Sequence, residues 1–208
     1  WSALKKSYNL IFTEETDLCG LGAAQNYALM AGYRDNSLMA YKTTYDLVQA
    51  VGMNYAPETC FVQLYVDGEY MGIYFLTGKI EIGENRIALK NMQKETEVLN
   101  TASLKKYEVQ KTENRVWRAL DRTPEDVTGG WILEYDERDY DPDKARFVSN
   151  HDLSMVLRSM SYASEKQVNY IADYWQEFED ALYAEDGYNE KGKHYTDYID
   201  AESFAEQW

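Results

Sequence analysis

The sequence predicts an α+β fold, with a sheet-rich amino-terminal part followed by a mostly helical carboxy-terminal part. Three observations predict this class. Residues 60–77 hold two apolar runs around an Asp-Gly pair, while residues 38–51 and 164–186 carry apolar side chains at helical spacing. Strands come first and helices mostly later, which is the order of an α+β protein rather than of alternating strand–helix units.

Two strands are predicted before the first helix. Residues 5–12 form a strand-like run that begins with two lysines. Residues 25–31 are an apolar run that is too short for its periodicity to distinguish strand from helix. Glycines on both sides of this second run mark turns, and we therefore favour a strand.

The first helix is predicted over residues 38–51. Asp35, Asn36 and Ser37 supply N-cap side chains, and Gly52 stands where a C-cap glycine belongs. The apolar positions recur with the helical period and form one face, at Leu38, Tyr41, Tyr45, Val48 and Val51.

A β-hairpin over residues 60–77 is the strongest local prediction. Asp67 and Gly68 separate its two apolar runs, and this dipeptide favours a tight primed turn. Gly72 inside the second run indicates a bulge or a close approach of another group to the backbone.

Beyond the hairpin the pattern is first irregular and then helical. Residues 84–128 are polar, with one short helix indicated near residues 92–99, and residues 131–135 predict a short strand. Ser164 and Gln167 form a capping box that begins an amphipathic helix running to about residue 186.

The domain organisation follows from this order of elements. A last helix is expected to begin near Asp200. We expect one domain made of residues 1–83 and 84–208, incomplete at both ends. Because the last helix would be cut, Phe204 and Trp208 are expected to expose apolar surface and to promote association.

The composition describes a strongly acidic globular chain. Of its 208 residues 36 are acidic and 21 are basic, which gives a formal net charge of −15. Such a surface repels phosphates, so nucleic acids and anionic membranes are not expected as partners. The sequence shows neither an apolar run long enough to span a membrane nor a signal peptide. Cys19 and Cys60 allow one disulfide, but two buried thiols are the favoured interpretation.

Residue patterns alone identify neither a catalytic nor a metal centre. The acidic run at residues 136–143 does not fit a calcium-binding EF-hand loop, because Lys144 and Asn150 stand where glycine and glutamate are needed. His151 and His194 lack partners at zinc-ligand spacing. The two glycines of residues 20–22 are better read as turn residues than as a phosphate-binding loop.

Charged residues near the first strand and helix allow two interpretations. In kinases a strand lysine neutralises nucleotide phosphates, and a charged residue of the neighbouring helix holds it in place. Lys5 and Lys6 open the first strand, and Lys42 and Asp46 lie on the first helix. Surface lysines more often only cover apolar surface with their stems, and this interpretation stays open.

Several segments, in order along the chain, resemble the CotH (spore coat protein H) kinase family. The strongest is FVQLYVDGEYMGIYFLT at residues 61–77. The other similar segments are KKSYNLIF, DNSLMAYKTTYDL, EDVTGGWILE, SEKQVNYI and YIDAESF, at residues 5–12, 35–47, 125–134, 164–171 and 198–204. The resemblance covers nearly the whole chain and implies an atypical protein-kinase-like fold.

The resemblance also implies an activity and a location. It implies a bacterial, secreted or spore-surface kinase that uses ATP with Mg²⁺ or Mn²⁺. Its substrates would be Ser or Thr side chains of coat or extracellular proteins, and it would be located outside the cell, on the cell surface or in the spore coat. Possible partners are the other proteins of a coat or extracellular complex.

The family pattern assigns expected roles to five residues. Lys6 is the first candidate for the phosphate-contacting lysine, and Lys5 is the alternative. Lys42 and Asp46 would lie on the equivalent of the kinase C helix, and Lys79 near the connection between the lobes. Trp1 resembles the end of a glycine-containing loop expected over the phosphates.

The chain departs from the family pattern at three positions and at its end. Ala40 stands where the family usually has arginine, Gly78 where it has glutamate, and Ile11 where a basic residue is common. The family's catalytic and metal-binding carboxylates are expected beyond residue 208, so no catalytic or metal residue is assigned and the chain by itself is expected to be inactive. The alternative function, favoured by Ala40 and Gly78, is a non-catalytic kinase-like module for binding or assembly in a spore coat or secreted complex.

Overall fold

The computed structural model describes residues 4–35, 37–53, 55–136 and 141–200, which form two compact units. The first unit extends to Ala88 and the second begins at Leu89. Both contain sheets and helices, so the α+β class predicted from the sequence is confirmed. The helix expected from Asp200, and the side chains of Phe204 and Trp208, lie outside the described residues.

The first unit is a four-stranded antiparallel sheet with one helix. Its strands are β1 (Tyr8–Thr16), β2 (Ala24–Met30), β3 (Thr59–Val66) and β4 (Glu69–Gly78), and α1 (Met39–Ala50) connects β2 to β3. The strand order is β1-β2-β4-β3. All four predicted strands and the predicted helix are confirmed, with β1 shifted a few residues towards the carboxy terminus.

Both ends of α1 follow from its flanking residues. At the amino-terminal end, the Asp35 carboxylate accepts from the backbone N–H of Ala40 at 2.8 Å and from the hydroxyl of Ser37. Both hydrogen bonds lower the pKa of Asp35, and the one from Ser37 is the larger cause. At the other end, Gly52 donates to Gln49 and Met53 donates to Val48. These two bonds form a Schellman motif, and Gly52 has the positive φ of 76° that the motif requires.

The hairpin of β3 and β4 has the predicted turn and the predicted irregularity. Asp67 and Gly68 have φ values of 50° and 85°, as a primed two-residue turn requires. Leu64 pairs with Gly72 but the next residue, Tyr65, pairs with Tyr70. The extra residue in β4 is a bulge beside Gly72, which confirms the prediction made for this glycine.

The core of the first unit lies on one face of the sheet, and α1 packs on the other. Tyr27, Leu29, Tyr74 and Leu76 are buried in the core. From α1, the rings of Tyr41 and Tyr45 approach that of Phe75 to 6.0 and 5.6 Å between centroids. The apolar face predicted for the helix therefore contacts β4, although each α1 residue remains partly exposed.

Cys19 and Cys60 form a disulfide, so the prediction of two buried thiols is wrong. Cys19 is exposed in the turn after β1 with a φ of 64°, and Cys60 is half-buried in β3. Sequence separation could not reveal the pairing, because the two residues meet only when β3 has been placed in the sheet. Their Cα atoms are 6.7 Å apart.

The second unit contains a five-stranded antiparallel sheet and two helices. The helices are α2 (Met92–Leu99) and α3 (Glu165–Tyr183). The strand order is β5-β6-β8-β9-β7, from Val109–Lys111, Arg115–Arg118, Arg146–Val148, Ser154–Leu157 and Leu133–Tyr135. The predicted α2 and β7 are confirmed.

The other four strands of this sheet were not indicated by the sequence. The stretch 84–128, predicted to be irregular apart from α2, also contains β5 and β6. Each of the four strands has only three or four residues, which is too short for a period of two to show.

The start of α3 has the predicted capping box. The Ser164 hydroxyl accepts from the backbone of Gln167, whose side chain in turn accepts from the backbone of Ser164. Gln167 also donates to the Thr96 hydroxyl of α2 at 2.8 Å, and both side chains are fully buried. Val168 and Ile171 continue the buried face of α3 into the core of the second unit.

Within the described residues, no helix is both long enough and apolar enough to cross a membrane.

Candidate functional site

The candidate site is a cleft of about 430 Å³ at the edge of the first unit, where β1 begins and β2 ends. We call it the basic cleft, because three of its lining side chains are cationic. The residues that matter for its chemistry are Lys5, Lys6, Ser7, Tyr33, Arg34 and Tyr41. A cluster of three cations is unusual on a chain with a net charge of −15 and favours an anionic ligand.

Lys5 is held by the backbone of two neighbouring strands. Its ammonium donates to the carbonyl oxygens of Ile73 and Ala31, the latter at 3.0 Å, and lies 4.3 Å from the ring centroid of Tyr74. Partial burial lowers the pKa of Lys5. A Cβ at position 72 would lie 3.5 Å from the Lys5 side chain, which is an ordinary contact distance, and the positive φ of 103° is what favours glycine there. Lys5 therefore ties β1 to its neighbours.

Lys6 and Arg34 are the free cations of the basic cleft. Both are exposed, and neither forms a hydrogen bond or an ion pair with another residue in the part of the chain that the structure describes. The exposed Tyr33 and Tyr41 add ring surfaces with hydroxyl tips beside them. Guanidinium and ammonium groups that lack protein partners can donate to the oxygens of phosphate or carboxylate groups.

The wall of the basic cleft is fixed by hydrogen bonds close to these cations. The Ser7 hydroxyl accepts from the backbone N–H of Ala31 at 3.0 Å, which joins the start of β1 to the end of β2. With the bonds of Lys5 to the carbonyls of Ala31 and Ile73, this holds Lys6 at a fixed edge of the sheet.

Two of the five residues expected to bind a nucleotide come together in this cleft, and three do not. Lys5 and Lys6 line it. Lys42 and Asp46 form an ion pair with one another on α1, four residues apart. Lys79 follows β4, where its backbone N–H donates to Asn26 at 3.1 Å.

The lysine–acid pair that a kinase forms between a strand and its helix is not made by these residues. Asp46, the candidate acid on α1, is paired with Lys42, and the strand that leads into α1, β2, contains no lysine. Lys5 instead reaches the end of β2 from the start of β1.

Arg34 was missed by sequence reasoning. It lies in the short turn between Gly32 and Asp35, whose carboxylate accepts from the backbone N–H of Ala40 at the start of α1. A basic residue shortly before a helix was the available signal, because a helix N-terminus also favours anions.

The described residues do not provide a divalent-metal site. In residues 4–35, 37–53, 55–136 and 141–200, His, Cys, Asp and Glu side chains are never grouped in threes. In the acidic run, Asp141 and Asp143 pair with Lys144 and Lys111 at 3.8 and 3.5 Å, while residues 137–140 lie outside the described part.

Comparison with known proteins gives one family. The family model described as CotH kinase protein matches residues 2–207, which is nearly the whole chain. No curated protein and no solved structure matches the chain.

Proposed function

The chain belongs to the CotH kinase protein family, and from this membership we propose that it binds ATP through the basic cleft. The observation that supports this proposal is the pair of exposed cations, Lys6 and Arg34, beside the tyrosines of the same cleft. Triphosphates carry several negative oxygens, and arginine and lysine are their usual protein partners.

In this proposal each cation has its own role. Lys6 and Arg34 donate to phosphate oxygens, because their side chains are exposed in the cleft. Lys5 positions them by fixing the edge of the sheet. Lys42 and Asp46 stiffen α1 through their ion pair, and Lys79 lies after β4, towards the connection to the second unit.

The activity that follows from the family is transfer of the γ-phosphoryl group of ATP to Ser or Thr of a coat or extracellular protein. Mg²⁺ or Mn²⁺ would neutralise charge on the transferred group. Because the described residues do not fit a metal site, we assign them phosphate binding and no step of the transfer.

We propose that the protein acts outside the cytoplasm. The disulfide between Cys19 and Cys60 supports this location, because disulfides form and persist in oxidising compartments and are rare in the cytosol. Its protein partners would then be components of a coat or of another extracellular complex.

A second function, a non-catalytic kinase-like module for binding or assembly, is favoured by one observation. The candidate helix acid Asp46 is paired with Lys42 rather than with a lysine of the sheet. A chain that has lost this pair could keep the fold for binding alone.

Thermal unfolding with nucleotides distinguishes the two functions. If ATP plus Mg²⁺ binds, a concentration of 100 times Kd adds about 2.7 kcal/mol of stability. For a chain of this size that corresponds to a rise in Tm of roughly 5–10 °C. Adenosine without phosphates is the control and is expected to give a much smaller rise. A folded protein whose Tm does not respond to ATP supports the binding module.

A further inference from the structure

A second cleft of the first unit, of about 400 Å³, lies beside the end of β4. We call it the arginine cleft, because the side chain of Arg86 lines it. One wall is the turn after β1, residues 20–22, and the opposite wall is the segment that leads into β3, residues 55–58. Gly78, at the end of β4, also lines it.

Arg86 is buried with two of its three donor nitrogens unused. Only 5% of its side chain is exposed. Its Nη1 donates to the carbonyl oxygens of Leu21 at 2.9 Å and Asn85 at 2.6 Å, and the ring centroid of Tyr27 lies 5.0 Å from its Cζ. Nε and Nη2 have no partner among the described residues. These two nitrogens form one side of the planar guanidinium fork, which matches the two oxygens of a carboxylate.

The surrounding side chains do not satisfy this fork. Oε1 of Glu81 forms an ion pair with Nε at 3.9 Å, but this distance is too long for a hydrogen bond. The hydroxyl of Tyr55 is a third buried donor without a partner in the described part of the chain. Three donors thus face one unpaired acceptor oxygen, although buried polar groups are normally paired.

Tyr55 and Arg86 line the same cleft, and Glu81 lies 3.9 Å from the Nε of Arg86. The pKa of Tyr55 agrees with these neighbours: burial is the largest cause that raises it, the positive charge of Arg86 lowers it, and the negative charge of Glu81 raises it.

The absence of a side chain at Gly78 lets the guanidinium of Arg86 pack against the backbone there. A Cβ at position 78 would lie 2.4 Å from Nε and 2.9 Å from Nη2 of Arg86. Any side chain there would displace the guanidinium, because real Cβ contacts are never this short. The absence of a side chain at Gly78 is thus a condition for this placement of the fork.

The disulfide joins the two walls of the arginine cleft. Cys19 directly precedes the wall at residues 20–22, and Cys60 follows Glu58 of the other wall by two residues. A covalent link between the walls reduces the ordering that a ligand would otherwise have to cause.

We propose that the arginine cleft binds a small carboxylate, whose two oxygens accept from Nε and Nη2 of Arg86 and from the hydroxyl of Tyr55. A carboxylate offers about four lone-pair sites, which suffices for all three donors. Glu58 is exposed on one wall and repels such a ligand weakly, because water screens its charge. The site is separate from the basic cleft and does not depend on ATP binding.

The test is a titration of the folded protein with acetate, followed by two-dimensional NMR at the Nε–H of Arg86 and the backbone N–H groups of residues 20–22. Acetamide, which has the same shape without the charge, and inorganic phosphate are the comparison ligands. We expect saturable shifts with acetate only. Tyr55→Phe removes one hydrogen bond and is expected to weaken binding about fivefold. Arg86→Lys keeps the charge but loses the fork and is expected to weaken it at least about tenfold.

Glu58→Gln is the matched control that keeps the fork, and it is expected to tighten acetate binding about twofold by removing the repulsion. Equal shifts with acetate and acetamide would overturn the proposal, since charge would then play no part. Tighter binding of phosphate than of acetate would overturn the carboxylate assignment. If the wild type does not bind acetate but Glu81→Gln does, then Glu81 already occupies the guanidinium fork, and the proposal is overturned.

Discussion

The ammonium of Lys5 lies 4.3 Å from the ring centroid of the buried Tyr74, whereas the next residue, Lys6, is exposed in the basic cleft. Adjacent lysines at the start of one strand thus have different surroundings. Lys5 stabilises the sheet through two carbonyl oxygens and one aromatic ring, and Lys6 remains available to a ligand.

Replacing the two lysines separately should distinguish these roles. Lys5→Ala removes hydrogen bonds to Ala31 and Ile73 and is expected to lower the free energy of unfolding by about 1–3 kcal/mol. Lys6→Ala is expected to change it by less than about 0.5 kcal/mol, as for other surface positions. Urea unfolding of both variants measures the difference. Equal losses in the two variants would contradict the assigned roles.

Removing the disulfide should destabilise the first unit. The chain-entropy relation for the 41-residue separation of Cys19 and Cys60 gives about 4 kcal/mol, and measured losses for native disulfides are about 2–5 kcal/mol. The double variant Cys19→Ser with Cys60→Ser tests this by urea unfolding. A reducing agent should lower the unfolding midpoint of the wild type and leave that of the double variant unchanged. A wild type insensitive to reduction would contradict the covalent link.

The buried hydrogen bond between α2 and α3 should be costly to break from one side. Thr96→Val leaves the amide of Gln167 without its 2.8 Å partner and is expected to cost about 1–3 kcal/mol. The double variant Thr96→Val with Gln167→Leu removes this donor and acceptor together, although Gln167 also serves the capping box. Denaturation midpoints should therefore show a double variant less destabilised than the sum of the two single variants.

Asp126 should make stability depend on pH at the acidic end. Hydrogen bonds from Lys90 and Thr128 hold the pKa of Asp126 well below the usual value near 3.8, and the bond from Lys90 is the larger cause. A carboxylate with a lowered pKa in the folded state stabilises the protein above its unfolded pKa, and this contribution is lost as the pH falls.

The difference in unfolding free energy between wild type and Asp126→Asn should therefore be constant near neutral pH and shrink below about pH 4. Glu125→Gln is the neighbouring control, because Glu125 is exposed and its carboxylate forms no ion pair with the described residues. Urea unfolding at several pH values measures both variants. A difference that grows on acidification would have the wrong sign for this interaction.

Local structure could be predicted from the sequence wherever a few neighbouring residues determine it. Gly52 ends α1, Asp67 and Gly68 form the turn of the hairpin, and Ser164 with Gln167 begins α3. Each of these motifs spans at most six residues, so its hydrogen bonds are encoded by local spacing.

Long-range contacts could not be predicted in the same way. Cys19 and Cys60 meet only through the strand order of the sheet, and Arg86 reaches Gly78 only after the chain has turned back beyond β4. Of the candidate nucleotide-binding residues, Lys5 and Lys6 line one cleft because both lie just before β1. Arg34 joins them through the turn before α1, which the sequence pattern alone did not place beside β1.

The most direct test of the proposed function is calorimetric titration of the protein with ATP plus Mg²⁺, using Lys6→Ala and Arg34→Ala as variants. Hydrogen bonds to charged groups contribute about 1.5–3 kcal/mol, so each variant is expected to bind ATP at least about tenfold more weakly. Lys42→Ala, which removes a partly exposed lysine outside the basic cleft, should leave the Kd within about twofold. Unchanged affinity in Lys6→Ala, or no ATP binding by a folded wild type, would contradict nucleotide binding at the basic cleft.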